Sequence, residues 1–207
     1  MKKLFTTKNL VLMALFGALA GLLMLWDFPL TFLAPNFYKM DFSEIPALIG
    51  GFAIGPLGGV IIEAVKILVK LLFKPTTTGL VGEFANFVLG CALVLPASLL
   101  YHYRKTLKTA ILSLAAGTLF MTGAGIVVNA LVMLPFYSKF MPMESIIAAG
   151  AKIFPAVNSV WTFAAFCVGP FNLFKALAVS LLTLLLYKRV SNLIKSFDSR
   201  KKGQKEA

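Results

Sequence analysis

Asparagine and lysine stand three residues apart in "GPFNLFKAL", residues 169–177, and the nine residues after the lysine include only Ser180 and Thr183 as polar side chains. On a helix, Asn172 and Lys175 share a face. An unpaired ammonium in hydrocarbon is costly, so a lysine placed among such residues marks a site by default. The carboxamide offers a donor and an acceptor side by side, and the ammonium adds three donors. The pair therefore suits a ligand edge carrying carbonyl and imide groups. A phosphate suits it less well, because the other candidate groups include acids and no arginine. The competing reading is a lysine under two turns from the outer surface that snorkels to water.

Other polar groups sit in equally apolar company. Glu83 is either a site carboxylate or an acid at the outer surface. Asn129, between "GIVV" and "ALVML", needs a second helix or a ligand as its partner. Glu63 and Lys66 are three apart and read as a structural pair on one helix face. Lys70 and Lys74 read as snorkelling cations near a helix end. With Asp41, Glu44 and Asn86, these groups come from different helices and gather toward the outer half of the molecule.

The elements that position them are membrane helices. The chain has 207 residues, 59% hydrophobic and 14% charged, and a mean hydropathy of +0.87, outside the range of soluble domains. A net charge of +12 raises the question of nucleic acid. The positive residues instead cluster beside apolar runs: Lys2, Lys3 and Lys8 before the first, Arg104, Lys105 and Lys108 in a short loop, and a lysine-rich tail after the last. By the positive-inside rule all three regions face the cytoplasm, and no nucleic-acid partner is expected. The first run ends at Trp26, Asp27 and Pro29 without a small-residue cleavage site and reads as a retained span.

Clear spans run from about Leu10 to Phe28, Leu80 to Tyr101, Thr109 to Phe136, and within Val160 to Tyr187, each near the ~20 residues a bilayer needs. Residues 45–73 must cross twice, with a break at Gly55-Pro56, for all three basic regions to lie inside. The expectation is an all-α integral membrane protein of six transmembrane helices with cytoplasmic termini. It has one membrane domain, 1–190, and a basic cytoplasmic tail, 191–207. The second helix, Glu44 to Ile54, spans only about 16 Å at ~1.5 Å per residue, and short, glycine-interrupted segments of this kind often line a site. The external connection between helices 1 and 2, Pro29 to Glu44, and the segment Ser138 to Ser159 are candidate lids, or alternatively parts of an aromatic belt.

There is no G-x-x-x-x-G-K-[ST], which argues against ATP hydrolysis by the P-loop route. The single histidine, His102, lies beside Arg104, which speaks against a histidine metal site or a Ser-His dyad. Cys91 and Cys167 fall inside apolar runs and are read as packing residues. No metal, cofactor or enzymatic activity is expected, and the residues point to binding or transport. An ion-coupled transporter using Glu83 and Lys175 as a coupling pair remains open.

"MDFSEIPALIGGFAIGPLGGVIIEAVK" at 40–66, "GLVGEFANFVLG" at 79–90 and "GPFNLFKAL" resemble the riboflavin-specific S components of energy-coupling-factor (ECF) vitamin transporters, and the resemblance covers nearly the whole chain. "ALFGA", Ala14 to Ala18, resembles the A-x-x-x-A surface shared more widely by S components. The resemblance implies a bacterial cell-membrane subunit that binds riboflavin from outside. A transmembrane T component and two ATPase subunits would supply the work, and the loaded subunit would topple to deliver its vitamin. It also implies Asn172 and Lys175 at the isoalloxazine ring, Asn129 and Glu83 as further substrate-binding residues, Met40 and Asp41 at the gate, and Ala14 and Ala18 as the docking surface. An S component for another vitamin is the alternative.

Overall fold

The computed structural model describes the backbone of residues 4–203 and the side chains of residues 4–186. Lys2 and Lys3 and all of the basic tail's side chains lie outside the described residues. The chain folds into helices α1 (Thr7–Leu25), α2 (Glu44–Ile54), α3 (Pro56–Phe73), α4 (Val81–Tyr103), α5 (Leu107–Val128), α6 (Leu134–Tyr137), α7 (Met143–Ala151), α8 (Val160–Phe163) and α9 (Gly169–Gly203). Two π-helical segments, Asn129–Met133 and Ala164–Val168, join α5 to α6 and α8 to α9 without a break in the helix. The backbone of α9 runs on into the stretch expected as the tail.

Four of these stretches are long and apolar enough to cross a membrane: Thr7–Leu25, Val81–Tyr103, Leu107–Tyr137 and Val160–Leu186. The boundaries follow local chemistry. Thr6 caps α1 by accepting from the Asn9 amide, Thr106 caps α5 through the Thr109 amide, and Ser159 and Thr162 form a reciprocal capping box on α8. Between α2 and α3, Gly55 takes φ +126°, a conformation that suits glycine, and Pro56 opens α3, where its missing N–H costs nothing. The break expected at Gly55-Pro56 is therefore present. α2 has 11 residues, and α3 is as long as a span but carries Glu63, Lys66 and Lys70.

Packing separates two faces of α1. Gly17 and Gly21 are buried against Val65 and Val69 of α3, where an added Cβ would meet a valine side chain. Ala14 is exposed and Ala18 half-buried. The small residues of α1 thus serve two surfaces, one inside the chain and one outside it.

Apolar side chains gather in two clusters. One packs Leu48 and Phe52 of α2 with Ile62, Leu93, Leu114 and Val179, and Phe52 stacks on Tyr101 with ring centroids 4.3 Å apart. The other joins the connection between α1 and α2 to the region where α6, α7 and the start of α9 meet, through Ala34, Met40, Leu134, Ile146, Phe163 and Phe171. That connection carries a two-residue antiparallel pairing of β1 (Phe28–Pro29) with β2 (Lys39–Met40).

Candidate functional site

A cavity of about 280 Å³ draws its walls from both clusters, just below the ~300 to 1,000 Å³ typical of small-molecule sites. Asp41, Glu83, Asn129, Asn172 and Lys175, from the connection, α4, the first π segment and α9, all line it. Met40 does not. In β2, successive side chains point to opposite faces, so Lys39 reaches the cavity while Met40 is buried in the second cluster. Phe37, Tyr38, Tyr137, Phe171, Met24 and Met121 supply aromatic and thioether surface.

The two asparagines are held in the same manner. Asn129 Nδ2 donates to the carbonyl of Gly125 at 2.8 Å, and Asn172 Nδ2 donates to that of Val168 at 3.0 Å. Each amide is tethered to its own helix one turn back, which fixes the other end as an acceptor. Gly125 serves both residues. Its carbonyl holds Asn129, and an added Cβ would collide with the Asn172 side chain. The Tyr38 hydroxyl donates to Asn129 Oδ1 at 2.7 Å, a contact across 91 residues that ties the connection to the π segment. Burial, with Tyr137 beside it, pushes the Tyr38 phenol well up, so it stays a donor.

Lys175 is buried, 4% exposed, so it does not snorkel. Its Nζ lies 3.1 Å from Asp41 Oδ2 and 3.1 Å from Glu44 Oε1. Asp41 is itself anchored, with its Oδ1 accepting from both the amide and the hydroxyl of Ser43. Burial alone would raise the Asp41 carboxyl. The Lys175 and Lys66 ammoniums and the Ser43 hydrogen bonds outweigh burial and hold it below the usual carboxylate value. Glu63 and Lys66 pair as their spacing suggests.

Two lysines differ from expectation. Lys70 does not extend to water; it pairs with Glu83, whose other oxygen accepts from Thr76 at 2.9 Å and Thr78 at 3.2 Å. Lys74 Nζ lies 3.1 Å from Asp27 Oδ2, and Lys39 reaches the same acid at 3.3 Å. These acids come from other elements, which the spacing within α3 does not reveal. Sequence reasoning grouped Glu44 with the gathered polar residues without giving it a role, and did not single out Tyr38. A carboxylate in the first turn of a short, buried helix was the available signal for Glu44, while nothing in the sequence pairs Tyr38 with Asn129. Among the described residues, no group of three His, Cys, Asp or Glu side chains could hold a metal ion.

The chemistry on the cavity wall is thus a fixed acceptor on Asn172, an ammonium on Lys175 and aromatic surface around them. That combination suits a neutral, flat, partly polar molecule. Comparison with known proteins finds relatives along most of the chain. The model of a family described as "ECF transporter, substrate-specific component" matches residues 8–187. The riboflavin transporter RibU of Staphylococcus aureus is 31% identical over 188 residues, 91% of this chain and 93% of that protein. The riboflavin transporter FmnP of Bacillus subtilis is 29% identical over 181 residues, 87% of this chain and 90% of that one. A solved chain described as the S component of a bacterial ECF transporter superposes with a TM-score of 0.71 at 31% identity, covering 91% of this chain and 98% of its own.

Proposed function

We propose a function from one premise: the chain belongs to the family of ECF transporter substrate-specific components. It is a multi-pass membrane protein and not an enzyme. It binds riboflavin and serves as the substrate-specificity subunit for riboflavin uptake across a bacterial cell membrane. What supports this reading above all is that Asn172 and Lys175 meet on one aromatic-walled cavity, in a chain that matches riboflavin transporters along nine-tenths of its length.

The flat isoalloxazine lies between the apolar and aromatic walls. Its carbonyl–imide edge faces Lys175 and Asn172, and the polyol reaches the outer polar groups around Glu83 and Asn129. Riboflavin is the transported ligand, and no cofactor is required. Asp41 sits at the gate, and the connection from Pro29 to Glu44 is the external lid, with Met40 acting in it through packing. The chain crosses the membrane six times, α2 and α3 included, with both termini in the cytoplasm. Ala14 and Ala18, on the outward face of α1, dock a transmembrane T component that works with two ATPase subunits. A self-sufficient ion-coupled transporter, which residue types alone left open, finds no support among the relatives.

Titration of the detergent-purified protein tests the reading. One riboflavin per chain should quench the flavin's fluorescence with nanomolar affinity, about −12 kcal/mol. Absence of both quenching and heat from folded protein would overturn it. In the same preparation, Ala14→Trp or Ala18→Trp should preserve riboflavin binding while blocking co-purification with the T and ATPase subunits, because overpacking disrupts a close helix contact. Loss of binding, or undiminished assembly, counts against the docking role.

A further inference from the structure

The Lys175 ammonium is not held by one partner but ends a continuous chain of buried charges. From α9 it reaches Glu44 Oε1 on α2. The same oxygen lies 3.5 Å from Lys66 Nζ on α3, and Lys66 pairs in turn with Glu63 and donates to Asn86 Oδ1 on α4 at 3.4 Å. Glu44 is 1% exposed and Lys66 fully buried. Among the described residues the ion pairs of Glu44 are with these two ammoniums, and its Oε2 meets no hydrogen-bond donor. A carboxylate paired in this way with two lysines is placed for those lysines.

Lysine is a compact charge on a flexible four-carbon stem, so its direction is undefined unless neighbours define it. Asp41 and Glu44 take two of its three N–H donors. Of these anchors, Asp41 belongs to the connection before α2, whereas Glu44 belongs to a helix and is itself gripped by Lys66 from α3. The donor left over is then aimed by the helix framework.

We propose that Glu44 is a positioning residue for ligand recognition: shared between Lys66 and Lys175, it fixes the Lys175 ammonium so that its remaining N–H and the tethered Asn172 Oδ1 present a donor and an acceptor in fixed register. The ligand edge this reads is a carbonyl beside an N–H. A ligand with the N–H methylated or the carbonyl removed fits one half of the pair only. This assignment rests on the riboflavin reading of the cavity.

A double-mutant cycle tests it, with riboflavin affinity read by flavin fluorescence and folding by thermal unfolding of the ligand-free protein. Glu44→Gln keeps the shape and removes the charge, and should weaken riboflavin at least tenfold. Lys175→Met should weaken it as well. Glu44 also lines the cavity, so the double variant separates the two routes: if Glu44 acts through Lys175, Glu44→Gln added to Lys175→Met should change affinity less than twofold. Equal losses in both backgrounds mean a structural role or a direct contact with the ligand and overturn the proposal, as does unchanged affinity in the single variant. Glu44→Asp, which keeps the charge but withdraws it by one methylene, provides the second measure where Glu44→Gln does not fold. A loss intermediate between wild type and Lys175→Met supports positioning, and wild-type affinity overturns it. Wild-type protein that fails to bind riboflavin overturns the binding reading and this one together, whereas wild-type binding that is indifferent to Glu44 overturns only this one.

Discussion

Two sets of lysine–carboxylate pairs share their chemistry and differ in burial. Asp41, Glu44 and Lys175 on the cavity wall, with the Lys66–Glu63 pair joined to them, have side chains 0–5% exposed. At the rim of the cavity, Asp27 is shared by Lys39 and Lys74, with exposures of 24–44%. In the deep set the carboxylates and ammoniums are one another's main partners, so breaking a pair leaves a poorly compensated charge in a low-dielectric interior. At the rim, solvent screens each charge and stands in for a missing one. The same residue types are therefore obligatory in one place and dispensable in the other.

The largest expected consequence lies in the deep set. Lys66→Ala leaves Glu63 and Glu44 facing each other without their common cation, and should cost roughly 3 to 5 kcal/mol of stability. Thermal unfolding of the ligand-free protein in detergent measures it. A variant that melts like wild type would erase the distinction between the two regions.

Next comes the wall of the cavity. Asn172→Ala should leave the fold intact and weaken riboflavin about ten- to a hundredfold, for roughly 1 to 3 kcal/mol of unmet hydrogen bonding. Gly125→Val, which forces the Asn172 side chain aside without touching its chemistry, should reproduce most of that loss. Equilibrium titration of both variants sharpens the comparison by showing whether the amide's position matters as much as its presence.

The smallest effect is at the rim. Lys74→Ala should change stability by about 0 to 1 kcal/mol, and by less as salt is added. Unfolding curves at low and high ionic strength check this. A salt-independent loss as large as that of Lys66→Ala would place Lys74 in the deep class.

Sequence reasoning reached the apolar spans, the break at Gly55-Pro56 and most polar residues of the cavity, since each is a local contrast between a residue and its neighbours. It did less well wherever the decisive partner is distant. The Asp41–Lys175 contact spans 134 residues, and helical spacing says which face a residue occupies without saying what another helix brings to that face. Lys70 and Lys74 read as snorkelling because their partners, Glu83 and Asp27, come from other segments. Met40 was drawn in by a motif, but the two-residue strand turns it away from the cavity and presents Lys39 instead. The π segments were invisible, because their residues carry no preference that separates them from an ordinary helix.

Those segments give the site a dependence on phase as well as on composition. A π turn accommodates one residue more than the α-helix around it, and one residue in an α-helix is worth about 100° of rotation. Leu134 and Tyr137 face the interior because the extra residue within 129–133 has turned them there, and Asn172 and Lys175 inherit their orientation relative to Phe163 from the extra residue within 164–168. A chain with every one of these side chains but one residue fewer in either stretch would keep its hydropathy profile and its helices, yet point the recognition groups along the wrong meridian.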